Sequence, residues 1–92
     1  MTRLVGKVAL ITGTGVGMGR AAALRFAAEG ATVVGCDLNA QTSEETVRLV
    51  REAGGVMTAA APVDLSSYKA TQHWVDDAAA IHGGIDVVYN NA

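Results

Sequence analysis

The chain has 92 residues, half of them hydrophobic and only 17% charged, which argues for a packed core and against disorder. A net charge of −2 with no basic cluster argues against nucleic acid and acidic membranes as partners, and a single cysteine, Cys36, excludes an internal disulfide or a cysteine-based metal pattern. No apolar run approaches membrane-spanning length and residues 1–7 lack a signal-peptide core, so the expectation is one small domain, 1–92, in a cytoplasmic, reducing compartment.

An apolar run over residues 7–12 reads as the first strand and leads into Thr12-Gly13-Thr14-Gly15-Val16-Gly17-Met18-Gly19. A first helix is predicted over residues 17–29. Leu24, Ala27 and Ala28 share one face, Ala21 and Ala22 are small enough for close approach to a sheet, and Gly30 is a natural stop. Residues 32–36 form the second strand. The second helix begins near Asn39, a suitable N-cap, with Glu44 and Glu45 in its early turns, where the dipole favours acids. Val47, Leu49 and Val50 supply its apolar face, and Gly54-Gly55 ends it. Residues 57–62 read as the third strand. The third helix starts at Ser66 or Ser67 and carries Thr71, Trp74, Val75, Ala78 and Ile81 at helical spacing up to Gly83-Gly84. Residues 85–90 form the fourth strand.

The strand starts lie about 25 residues apart, each gap holding a helix, which is the rhythm of a parallel sheet covered on both faces. Right-handed crossovers give the strand order 3-2-1-4 if the fourth run returns beside the first. The predicted fold is α/β, a partial Rossmann-type doubly wound parallel sheet with three helices. No linker or charge block marks a domain boundary.

Gly13, Gly15, Gly17 and Gly19 let the chain turn sharply and approach a ligand with no Cβ in the way. Strand, glycine turn and helix is also the arrangement in which amides at a helix N-terminus receive a phosphate. The spacing is not a plain G-x-G-x-x-G: counted from Gly13 or Gly15, the third glycine falls on Met18 or Arg20. It fits Thr-Gly-x-x-x-Gly-x-Gly over residues 12–19. Asp37 ends the second strand run, 24 residues after Gly13 and 18 after Gly19. A carboxylate there accepts hydrogen bonds from ribose hydroxyls and repels a 2′-phosphate. Thr14, Gly15 and Val16 bring no basic side chain and Leu38 follows Asp37, which favours NAD over NADP. The plainer reading of Asp37 is a helix cap or a solvated carboxylate.

With residues 12–19, Asp37, Asp64-Leu65 after the third strand and Asn90-Asn91-Ala92 after the fourth, the whole chain resembles the cofactor-binding half of the short-chain dehydrogenase/reductase family. The resemblance implies an oxidoreductase interconverting an alcohol and a carbonyl by hydride transfer. It implies a cofactor site of Gly13, Thr14, Gly15, Val16, Gly17, Met18, Gly19, Asp37, Leu38, Asp64, Leu65, Asn91 and Ala92. Asp64 and Leu65 would meet the adenine, Asn91 and Ala92 would lie near the ribose, and Asn90 would serve the sheet. The family's Asn-Asn-Ala-Gly segment lacks its last glycine here. Without the resemblance, Asp64-Leu65-Ser66-Ser67 is a turn into a capped helix and Asn90-Asn91-Ala92 a strand-end turn.

The family's catalytic Tyr-x-x-x-Lys is missing: Tyr68 is followed at that distance by Gln72, and Tyr89 would need position 93. Ser66 and Ser67 fall too early for the family's catalytic serine. The resemblance therefore implies a truncated chain, inactive alone, with an open edge at the fourth strand that favours self-association and a homo-oligomeric parent. Two other readings stand beside this one. A nucleotide-binding module without catalysis fits the missing pair. An S-adenosylmethionine-dependent methyltransferase fits the sheet but usually has an acid just before its glycines, where Thr12 stands. Among the remaining residues, His73, His82 and Asp76-Asp77 read as surface, Cys36 as buried and inert, and Trp74 as a helix anchor; Lys7 and Arg20 could meet phosphate, with flanking surface charge as the plainer reading.

Overall fold

The computed structural model describes residues 3–90. Strands β1 (Val8–Thr12), β2 (Thr32–Cys36), β3 (Val56–Ala60) and β4 (Val87–Tyr89) alternate with helices α1 (Gly17–Ala28), α2 (Ala40–Glu52) and α3 (Tyr68–His82). All strand pairings are parallel and the order is β3-β2-β1-β4, as expected from right-handed crossovers. The register runs from Val8 opposite Thr32 to Thr12 opposite Cys36, and from Thr32 opposite Val56 to Cys36 opposite Ala60. On the other flank of β1, Ala9 to Ile11 face Val87 to Tyr89.

The alternation of side chains along the strands divides the core into two layers. Ile11, Val33 and Met57 point to α1 and α2, where they meet Ala23, Ala27 and Val50. Val8, Leu10, Val34 and Cys36 point to α3, where they meet Trp74 and Ala78. Leu10, Ile11, Val33, Val50 and Met57 are fully buried, each stabilising the fold by about 1.5–3 kcal/mol. All but Val50 lie on strands, so the inner sheet carries most of this energy.

Helix phase departs from the sequence reading. On α1 the buried residues are Gly19, Ala23 and Ala27, while Ala21 and Ala28 are exposed. Four-residue spacing of small side chains sets this helix against the sheet, in a phase decided by the turn before it. On α2 the buried stripe is Ser43, Thr46 and Val50, with Val47 and Leu49 half-buried. Asn39 caps α2, its Oδ1 accepting from Thr42 N at 3.0 Å, but no acid occupies the first turn. Glu45 and Glu52 instead flank Arg48 as ion pairs on the solvent side. Ser67, not Ser66, caps α3, accepting from Ala70 N at 3.2 Å. Ile81 is 74% exposed despite its helical spacing with Trp74 and Ala78. It borders a groove of about 450 Å³ between α3 and β3, lined also by Thr58 and Ala60.

Strand limits shift for a similar reason. β3 stops at Ala60, because Pro62 has no N–H for a ladder. β4 is three residues long and pairs on one side only. It is pinned by Asp86, whose N–H donates to Val8 O and whose Oδ2 accepts from Val8 N, both at 2.9 Å. Thr12 Oγ1 donates to Asn90 Oδ1 at 3.1 Å, and Tyr89 packs edge-on against Phe26. Among the described residues, no helix is long and apolar enough to cross a membrane.

Candidate functional site

The parallel strands end on one side of the sheet, and the segments leaving β1, β2 and β3 converge there. A cleft of about 240 Å³ is lined by Gly13, Asp37, Leu38, Val63, Asp64, Leu65 and Ser66. Of the residues singled out from sequence, Gly13, Asp37, Leu38, Asp64 and Leu65 thus share one cavity although they come from three loops. A concavity at the end of parallel strands, beside a strand-order reversal, is where open α/β sheets bind ligands. A larger hollow of about 1010 Å³ lies between α2 and β3, away from the glycine turn. Among its charged residues, Glu45, Arg48 and Glu52 pair with one another and Arg51 donates to Met57 O.

The glycine turn is held from both flanks. Cys36 O accepts from Gly13 N at 2.9 Å, from Thr14 N at 3.2 Å and from Thr14 Oγ1 at 3.3 Å. Thr14 is fully buried over Gly35, where a Cβ would stand 2.8 Å from its Oγ1 and Cγ2. A glycine inside β2 is therefore required by the close approach of the turn. Gly15 N donates to Asp37 Oδ2 at 2.7 Å, and Asn39 N donates to Asp37 Oδ1 at 3.0 Å. The Asp37 carboxylate thus locks the turn to the start of α2, and each oxygen keeps a second lone pair.

The amides of Gly13, Thr14 and Gly15 are engaged inside the protein. Those of the first turn of α1 have no intrahelical acceptor, and its N-cap residue, Val16, supplies no side-chain cap. α2 and α3 both have capping side chains; α1 has none and no acid in its first turn. Gly17, at φ +60, enters this helix through the left-handed region, which favours glycine. Val16, Met18 and Leu38 are 60%, 69% and 66% exposed, an apolar rim around an end that can receive an anion.

Asp64 Oδ1 accepts from the Ser66 hydroxyl at 2.6 Å and from Ser66 N at 2.9 Å. These two donors hold its carboxyl below the usual carboxylate range. The turn into a capped helix is thus present, and Asp64 lines the cleft as well. Burial pushes the Cys36 thiol up to about 11, so it stays protonated and unreactive at neutral pH. Asn91 and Ala92 lie outside the described residues. Among the described residues, no group of His, Cys, Asp and Glu could hold a metal ion.

Two contributors, Thr46 and Thr42, were not singled out from sequence, and a third, Arg20, reads there as surface charge. Thr46, on the buried stripe of α2, donates from Oγ1 to Thr14 O at 2.6 Å. Thr42 stands against Gly15. Arg20, expected as surface charge, is half-buried: its Nε donates to Thr46 Oγ1 at 2.9 Å and its NH2 to Thr42 O at 3.2 Å. The available signal was the Thr42/Thr46 pair at four-residue spacing, which marks one helix face without naming what it meets.

Known proteins resemble this chain in both sequence and fold. Residues 7–92 match the sequence model of a family described as short chain dehydrogenase. A short chain dehydrogenase/reductase of the fungus Colletotrichum higginsianum is 40% identical over 91 residues, covering 99% of this chain. The chain spans 34% of that relative's length. A metagenomic short-chain oxidoreductase solved with NADP superposes with a TM-score of 0.93 at 35% identity, over 97% of this chain and 40% of its own. A short chain dehydrogenase from Mycobacterium paratuberculosis bound to NAD gives 0.90 at 37% identity, over 98% of this chain and 38% of its own.

Proposed function

We propose, from the premise that the chain belongs to the short-chain dehydrogenase/reductase family, that it is the dinucleotide-binding part of an oxidoreductase interconverting an alcohol and a carbonyl. The observation that carries this reading is the meeting of Gly13 of the glycine turn, Asp37 and Asp64 on one cleft, with that turn leading into an α1 N-terminus that no side chain caps. The first-turn amides of α1 receive the diphosphate. Asp37 accepts from the adenosine ribose hydroxyls, and Asp64 with the Leu65 backbone meets the adenine edge. Asn91 and Ala92 are assigned a place near the cofactor ribose by family resemblance. The nicotinamide, when bound, accepts or donates the hydride. The residues described here bind and orient the cofactor and move no proton. No Tyr-x-x-x-Lys pair occurs in the 92 residues, so this chain is proposed to bind without turnover.

NAD is the proposed cofactor. Solved relatives hold NAD or NADP, so the preference rests on this chain's own residues. Asp37 faces the cleft, no basic side chain stands at positions 13–16, and the nearby cation Arg20 is turned into α2. A 2′-phosphate would meet a carboxylate with no cation to offset it. Calorimetric titration with NADH, NADPH and S-adenosylmethionine tests the reading. NADH is expected to bind most tightly. Tighter binding of NADPH would overturn the cofactor preference, and binding of S-adenosylmethionine alone would overturn the function.

A further inference from the structure

We infer that Thr46 is a positioning residue for the dinucleotide: its buried hydroxyl, polarised by Arg20, orients the glycine turn that leads to the phosphate-binding helix end. The inference rests on the proposed cofactor site and adds residues on α2 and α1 that do not touch the ligand.

Thr46 is fully buried, on α2, 32 positions from Thr14. Its Oγ1 stands 2.6 Å from Thr14 O, 3.2 Å from Gly15 O and 3.3 Å from Thr42 O. A hydroxyl has one proton, and the shortest contact takes it. Arg20 Nε donates into the same oxygen at 2.9 Å, so donation runs one way, from guanidinium to hydroxyl to carbonyl. A cation at the head of such a chain strengthens each later bond.

The opposite side of the turn is tied to β2. Cys36 O holds the amides of Gly13 and Thr14, and Asp37 Oδ2 holds that of Gly15. The Thr14 carbonyl is thus drawn towards α2 and the amides towards β2 and Asp37, before any ligand arrives. Rotation of the Thr14–Gly15 peptide would break bonds on both sides at once. The helix beginning at Gly17 inherits its direction from this peptide, so the aim of its first-turn amides depends on Thr46. Preorganisation of this kind raises affinity by removing an ordering cost from binding.

The effect should fall on the phosphates rather than the adenosine, because Asp64 and Leu65 lie on another loop. Thr46→Val keeps the shape and removes the hydroxyl, and Thr46→Ser restores it. NMR titration with ADP and with adenosine reads the two parts separately. In Thr46→Val the ADP dissociation constant is expected to rise about tenfold, the worth of one hydrogen bond, and that for adenosine less than about twofold. Thr46→Ser should bind ADP within about twofold of the parent chain. If Thr46→Val does not fold, Arg20→Gln takes its place, since Arg20 is half-buried, and the same selective loss for ADP is expected. Unchanged ADP affinity in the folded variant, or equal loss for ADP and adenosine, would overturn this inference alone. Failure of the unsubstituted chain to bind ADP would overturn the cofactor reading with it.

Discussion

Replacing Gly15 by alanine isolates the interlock between the glycine turn and α2. Gly15 does not have a left-handed backbone, so alanine suits its dihedrals and the obstacle is space. An added Cβ would collide with Thr42 Oγ1, lie 2.7 Å from Asp37 Oδ2 and 3.1 Å from Thr42 Cβ. Thr42, the nearest obstacle, is β-branched and anchored in a helix and stays in the way, so the movable neighbour is Asp37, which must swing aside. That gives up its 2.7 Å bond from Gly15 N, a hydrogen bond to a charged group worth about 1.5–3 kcal/mol. Residual crowding against Thr42 raises the cost within the range of about 1–3 kcal/mol typical of overpacking, and the two terms overlap. A net loss of about 2–3 kcal/mol is expected. Urea unfolding followed by fluorescence of Trp74, the one tryptophan and 7% exposed, measures it directly. In a Thr42→Ala background the same change should cost at least about 1 kcal/mol less, because contacting residues couple. Gly17→Ala is the control: its Cβ meets nothing within 4 Å, so only the left-handed strain of about 1–2 kcal/mol applies. A Gly15→Ala variant within about 0.5 kcal/mol of the parent, or equal costs in both backgrounds, would refute the reasoning.

Further predictions bear on the caps, the carboxylate and the thiol. Asn39→Ala removes the α2 cap and should cost about 1 kcal/mol in the same urea assay, while Ser66→Ala, which caps no helix, should cost less than Ser67→Ala. Asp37→Ala should weaken NADH binding about tenfold or more and narrow the gap to NADPH, checked by calorimetry. Cys36 should resist a thiol-disulfide reagent at pH 8 until denaturant unfolds the chain. Because burial raises its pKa from 9.0 to about 11, its contribution to stability is complete below pH 9 and is lost as pH rises towards 11. Cys36→Ala should flatten that part of the stability profile relative to the parent.

The sequence by itself determined the order of strand and helix and, once the fourth strand lies beside the first, the strand order 3-2-1-4. Those properties follow from periodicity along the chain and from the handedness of its crossovers, both of which are local or covalent. It also located the cap Asn39 and narrowed that of α3 to Ser66 or Ser67, since a cap acts within three residues of itself; the structure chose Ser67. Only the tertiary structure decided which alanines of α1 face inward, that Ile81 is left uncovered, and that Arg20 turns away from solvent. It alone showed Asp37 holding Gly15, and Thr46 holding Thr14 across 32 positions. Such partners are chosen by how the loops and α2 pack against one another, and a pattern read along one chain carries no record of what stands opposite it.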